Sequence, residues 1–185
     1  MKNPGRPAVA AMALIVIACL CAVEPMYGEF GVGRGNIEKS TNEASARFND
    51  ALSSFHLMLA ALDRNQQDDA AKYRDQAMGQ LKEASRSYEE ADSKADNHTL
   101  KAVAKTPQED DDLKYFWEQA KMYGVRMPVS QKALLAAISA QVSRLAAGIG
   151  NLRNGSTLRQ RQKLADSAAE LQRFLISATT LLTIG

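Results

Sequence analysis

Along this chain, large apolar side chains recur every three or four residues in four long stretches, and that rhythm predicts an all-α fold. The clearest stretch is 133–152. There Leu135, Ile138, Val142, Leu145, Ile149 and Leu152 follow one another at spacings of 3, 4, 3, 4 and 3. This keeps every large side chain on one stripe of a helix. The other side carries Ala133, Ala136, Ala137, Ala140, Ser143 and Ala147, all small, and Arg144 is the only charge. A helix so weakly polar all round is normally buried by its neighbours. It is expected to be the central helix of a bundle, with Ala133, Ala136, Ala140, Ser143 and Ala147 as a face for close approach of another backbone. Coverage of that face by helices of the same chain, and hence a monomer, is the expectation. A partner or second copy on the face is the competing case.

The remaining stretches follow the same logic. Ala44, Phe48, Ala51, Phe55, Met58 and Leu62 fall in heptad spacing of coiled-coil type, widened by Leu52 and Leu59. They predict a helix from Ser40-Thr41, either of which can cap it, to about Arg64. After the polar turn Asn65-Gln66-Gln67, a second helix is expected from Asp68 to about Ala95. Its series is Ala70, Ala77, Leu81, Ala84, Tyr88, Ala91 and Ala95, interrupted by Arg74. A seam so rich in Ala predicts close helix contact. Residues 96–105 lack an apolar repeat and read as a loop. Thr106-Pro107-Gln108-Glu109 then gives a start signal, with Thr as N-cap, Pro at the first helical position and Glu at the third. The short helix that follows is expected to bury Leu113, Phe116, Trp117, Ala120 and Tyr123, and Gly124 and Pro128 break it. Arg153-Asn154-Gly155-Ser156 is a turn with a following cap. A last helix repeats Leu164, Ala168, Leu171, Leu175, Ala178 and Leu182. The fold class is therefore all-α, an antiparallel bundle of four long amphipathic helices plus one short helix over residues 40–185.

The first residues differ in kind. Lys2 and Arg6 precede an uncharged run of 17 residues from Pro7 to Val23. A basic start, apolar middle and small residues near a cut are the layout of a secretory signal, and the run is short of the roughly 20 apolar residues of a membrane span. Residues 1–22 are read as a signal peptide and 23–39, with Gly28, Gly31, Gly33 and Gly35, as a flexible spacer. Val16-Ile17-Ala18-Cys19 resembles a bacterial lipobox, in which the Cys becomes lipid-modified and N-terminal, and this makes Cys19 a candidate lipidation site. Cleavage near Ala22 instead removes Cys19 and Cys21, and an uncleaved anchor is the third alternative. All three leave the region after Val23 without cysteine, which excludes disulfides, thiol catalysis and Cys-based metal sites from the folded domain.

Charge adds one feature. Residues 24–112 hold 18 acids and 11 bases, a net of −7, whereas residues 113–185 hold 3 acids and 10 bases, a net of +7. Two halves that attract each other are the preferred reading, and a basic docking face is the sharper one. The net basicity of the whole chain comes from Lys2 and Arg6 alone and argues nothing for nucleic acid.

Candidate chemistry is sparse. A di-metal bundle site needs Glu-x-x-His, but Ser53 and Ala95 stand three residues before His56 and His98. A haem would take His56 and a Met such as Met78 or Met122 as axial ligands. Glu109-Asp110-Asp111-Asp112 offers oxygen ligands for a hard cation, yet acids are favoured in a first turn by the helix dipole alone. Arg153, Arg159, Arg161 and Lys163 form a basic cluster suited to phosphate or anionic lipid. Asn97-His98-Thr99 and Asn154-Gly155-Ser156 match the glycosylation pattern. Gly148-Ile149-Gly150 ends a helix rather than opening one, so it is no phosphate cradle. No Ser/His/Asp set or Cys nucleophile has supporting context. These readings converge on an exported, non-catalytic helical bundle with a structural or protein-interaction role in the cell envelope, periplasmic in a bacterium. Its expected partner is another envelope protein or itself, with no cofactor and with membrane contact only through the leader or a lipidated Cys19. The alternative is a bundle that binds a small ligand or cofactor, haem or lipid.

Overall fold

The structure, a computed structural model, describes residues 32–153 and 155–185. These form five helices and no strand: α1 (Val32–Asp63), α2 (Gln67–Lys94), α3 (Pro107–Gln119), α4 (Gln131–Asn151) and α5 (Leu158–Ile184). The leader, Cys19 and the first part of the spacer lie outside the described residues.

α1 begins earlier than its cap signal suggests. Residues 32–39, read from the sequence as the end of the spacer, are its opening turns. The reason is packing: Ile37 is buried one heptad ahead of Ala44, which extends the stripe backwards. Two helical glycines, Gly33 and Gly35, each cost about 1 kcal/mol against Ala, and the extended apolar stripe offsets this. Ser40 and Thr41 are buried inside the helix rather than capping it, and the Thr41 hydroxyl donates to the Ile37 carbonyl at 2.8 Å.

α1 and α2 fold back on one another through the turn at Arg64–Gln66, where Asn65 adopts φ 58°. Ser45 meets the Tyr88 hydroxyl at 3.2 Å, Ser54 bonds Gln80 at 2.8 Å and Arg47 pairs with Glu83 at 2.7 Å. The Ala seam of α2 is used as its composition demands. Ala77, Ala84 and Ala91 are completely buried, with Phe48, Phe55 and Met58 of α1 filling the space that small side chains leave.

α2 also packs on α4, and α5 packs on α3, α4 and α1. The 96–105 segment is indeed non-helical. It is stitched to the start of α4 by the Leu100 N–H to Val129 carbonyl bond at 2.8 Å and by an isolated bridge between Thr99 and Ser130. Three helix starts are capped by side chains. Thr106 and Glu109 make the full capping box on α3, Ser130 accepts from the Ala133 N–H on α4, and Thr157 with Gln160 makes a second box on α5. α3 and α4 are two separate helices. The chain turns between them at Gly124, φ 78°, with the Val125 N–H closing on the Ala120 carbonyl at 2.9 Å.

The apolar core is continuous from Ile37 to Leu181. In α5 the heptad positions Ala168, Leu171, Leu175 and Ala178 are buried, Leu164 and Leu182 are half-buried, and Phe174 and Leu181 are completely buried beside them. Phe174 stacks on Tyr123 with ring centroids 4.1 Å apart and on Phe116 at 5.5 Å, which fixes α3 and the turn after it onto α5. Trp117, expected in the core, is instead 41% exposed, its ring edge set against Phe116. The core side of α3 is taken by Leu113, Phe116 and Ala120, and Trp117 lies just off that stripe.

Candidate functional site

The small-residue face of α4 is the first candidate. The large stripe of this helix, Leu135, Ile138, Val142, Leu145 and Ile149, is buried together with Leu134 and Ala137. On the opposite side Ala136, Ala140, Ser143 and Ala147 are exposed and Ala133 is half-buried. The expectation that helices of the same chain cover this face is corrected by their exposure. α2 and α5 pack on α4, and α2 reaches the edge of the small side only at Ser143, which leaves Ala136, Ala140 and Ala147 open. As a result, in a helix long and apolar enough to cross a membrane, only 39% of the most apolar window is buried.

Ser143 stands at the border of two surfaces. Its hydroxyl lies 2.9 Å from that of Ser85 on α2, which also meets the Ser139 hydroxyl at 2.8 Å. Ser139 in turn reaches Glu89 at 3.3 Å. These hydroxyls form a polar seam between two Ala-rich helix faces and satisfy one another where water is scarce. Of the three serines only Ser143 carried a sequence signal, as one of the small residues permissive for close approach.

A second candidate is a groove of about 510 Å³ where α1 ends, α2 begins and α4 ends. Met58, Leu62, Met78 and Leu152 supply apolar walls, and Arg74 and Arg153 supply charge. The Arg74 guanidinium contacts Asp75 at 3.2 Å. Gly150 matters to its shape, because a Cβ there would sit 3.1 Å from the Met78 methyl. A volume in this range matches small-ligand pockets. The sequence offered no sign of the groove, because its walls come from three helix ends.

The other sequence candidates are dispersed. His56 is exposed on α1, and partial burial lowers its pKa. It does not line the groove that Met78 lines, and Met122 is 64% exposed on the α3–α4 connection, so no axial pair for a haem is assembled. His98 is exposed and its Nδ1 lies 2.9 Å from Asp96. Of the acidic run, Glu109 completes the α3 capping box, and Asp112 accepts from the Thr180 hydroxyl at 3.1 Å. Among the described residues no group of three His, Cys, Asp or Glu is placed to hold a metal. The basic cluster is only partly free. Arg161 is taken up by an ion pair with Asp63 at 3.0 Å and a bond to the Ser156 carbonyl at 3.1 Å, while Arg153, Arg159 and Lys163 are exposed. Asn97 and Thr99 are exposed, and Asn154 lies outside the described residues.

Among the described residues two tyrosines are held well above the usual phenol range. Burial pushes the Tyr88 phenol up to about 12, against a smaller opposite effect of its Ser45 hydrogen bond. Burial likewise raises Tyr123 to about 12, helped by the nearby Tyr115 and Glu170. Both act as neutral core residues at ordinary pH, with no catalytic geometry around them.

No protein-family model, curated protein or solved structure matches this chain.

Proposed function

We propose that this chain is an exported, non-catalytic antiparallel bundle of four long helices and one short one, working in the cell envelope by binding another envelope protein or a second copy of itself. What supports this reading is the open side of α4: Ala136, Ala140, Ser143 and Ala147 form an uncovered strip on the most apolar helix of the domain. Small side chains let a second helix come within close packing distance, with the exposed Lys132 and Arg144 at the edges of the strip. Light scattering with thermal melts on wild type and Ala140→Leu tests it. The expected result is an associating wild type, free or with its partner, and a variant that melts within about 0.5 kcal/mol of wild type but no longer associates. A loss of roughly 1–3 kcal/mol from overpacking would mean that the face is internal. Export is tested separately by mass spectrometry of the mature N-terminus. An acylated Cys19 or a cut near Ala22 supports it, and an intact Met1 in the cytosol defeats it.

A second reading, a bundle that binds a small ligand, draws on the groove walled by Met58, Leu62, Met78 and Leu152. Native mass spectrometry of the purified protein separates the two. A stoichiometric bound small molecule favours the second.

A further inference from the structure

The connection from α3 to α4 carries a surface that shares no residue with the open face of α4 or with the groove. Its inward side chains are anchors: Phe116, Ala120, Tyr123, Val125 and Val129 are all buried. The backbone is tied down as well, since the Gln141 side-chain N–H donates to the Tyr123 carbonyl at 3.0 Å and the Gly124 turn closes on Lys121 and Ala120. What points outward from this fixed frame is unusual for a surface turn. Trp117 is 41% exposed, Met122 64% and Met127 67%. Isolated exposed apolar side chains need no explanation, but three large ones within eleven residues of a tethered turn form a patch.

Between residues 113 and 127 the exposed charges are mostly basic, with Asp110 and Asp111 exposed at the far end of α3. Lys114, Lys121 and Arg126 are exposed, against the single acid Glu118. Among the described residues none of the three makes an ion pair. This bears on the charge division of the chain. If the basic half served only to attract the acidic half, its cations would be spent on cross-half pairs. Among the described residues Arg161 with Asp63 is the one such pair, and the cations of the turn are left facing solvent.

We propose that this turn docks on an anionic bilayer surface. Indole and thioether side chains enter the interfacial region, where an amphipathic aromatic ring is most favourably placed. Lys and Arg stems lie along the apolar residues while their charged ends reach lipid phosphates. Because the turn is already ordered, docking costs little conformational entropy. The contact is reversible and salt-sensitive, and it holds the folded domain against the membrane independently of any leader or lipid anchor.

Trp117 is the only tryptophan of the chain, so its fluorescence reads this turn alone. The full chain is bound to vesicles of phosphatidylcholine with and without phosphatidylglycerol, with brominated acyl chains as quenchers. Even if the leader itself holds the protein on both vesicles, Trp117 reports whether the turn touches lipid. The expected result is a blue shift and quenching on the anionic vesicles, reversed by salt and absent on neutral ones. Met122→Asp with Met127→Asp should abolish the quenching with the helical circular dichroism unchanged. Lys121→Ala with Arg126→Ala, at two exposed positions, should lower the docked-to-undocked ratio about thirtyfold with the helical circular dichroism unchanged. Membrane-bound protein whose Trp117 is unshifted and unquenched overturns the proposal, and so does equal quenching on neutral and anionic vesicles. If a protein captures this turn instead, the first of those results is the one obtained.

Discussion

Phe174 is the residue on which the attachment of α3 depends, and replacing it with Ala should be among the most damaging single changes in the domain. It is completely buried and sits between two stacked rings, Tyr123 at 4.1 Å and Phe116 at 5.5 Å. Truncation of a buried Phe costs about 3–5 kcal/mol through lost transfer energy and the cavity left behind. The aromatic pairs add to this, so a value of about 4–5 kcal/mol is expected. Against a total stability of about 5–15 kcal/mol for a domain of this kind, that is a large share. Phe174→Leu keeps most of the volume but loses the stacking and should cost about 1–2 kcal/mol. Ile176→Ala, at a position 54% exposed, should change stability by less than about 0.5 kcal/mol. Urea unfolding read by far-UV circular dichroism and by Trp117 emission measures all three. Trp117 packs edge-on against Phe116 at 5.0 Å, so it detects release of α3 from α5 even where the long helices persist. A loss below about 1 kcal/mol for Phe174→Ala, with the Trp117 and helical transitions coincident and unshifted, would refute the idea that this aromatic stack fixes α3.

Two further outcomes follow from the core and the caps. Tyr88 ionises near 10 in the unfolded chain and at about 12 when folded, so stability falls as pH rises through that interval, by roughly 3 kcal/mol from this residue; urea melts from neutral to strongly alkaline pH should show that slope, and Tyr88→Phe should remove this residue's share of it while Tyr123 keeps its own. Thr106→Ala removes the acceptor for the Glu109 N–H and half of the capping box, which should cost about 1 kcal/mol and fray the start of α3 in hydrogen exchange.

Much of the fold was legible because local chemistry and burial agreed. The Thr106 capping box, the Ala seam of α2 and the heptads of α1 and α5 are each written in adjacent residues. The disagreements have a common origin in packing between elements. Gly33 and Gly35 suggested a spacer, but burial of Ile37 draws the helix back over them. Phe174 and Leu181 lie one step off the heptad positions, and only the placement of α3 and the other helices around α5 makes that flank interior. Trp117 was expected among the buried residues of α3, but it sits beside the stripe of Leu113 and Phe116 and is left outside. The groove and the seam of Ser85, Ser139 and Ser143 join residues from separate helices, so no single stretch announces them. The small face of α4 was visible as a face. Whether it was covered depended on which sides of α4 its neighbours chose.

The most direct test of the proposed binding role is a photo-reactive side chain placed at Ala140 in the full chain, expressed in its own host and irradiated in intact cells. The account predicts one dominant adduct, to a single envelope protein or to a second copy of this chain. It predicts the same adduct from Ala136 and Ala147, and none from Lys82 on the solvated side of α2. No adduct at Ala136, Ala140 or Ala147 above the level at Lys82 would contradict it, and the open face of α4 would then be surface and nothing more.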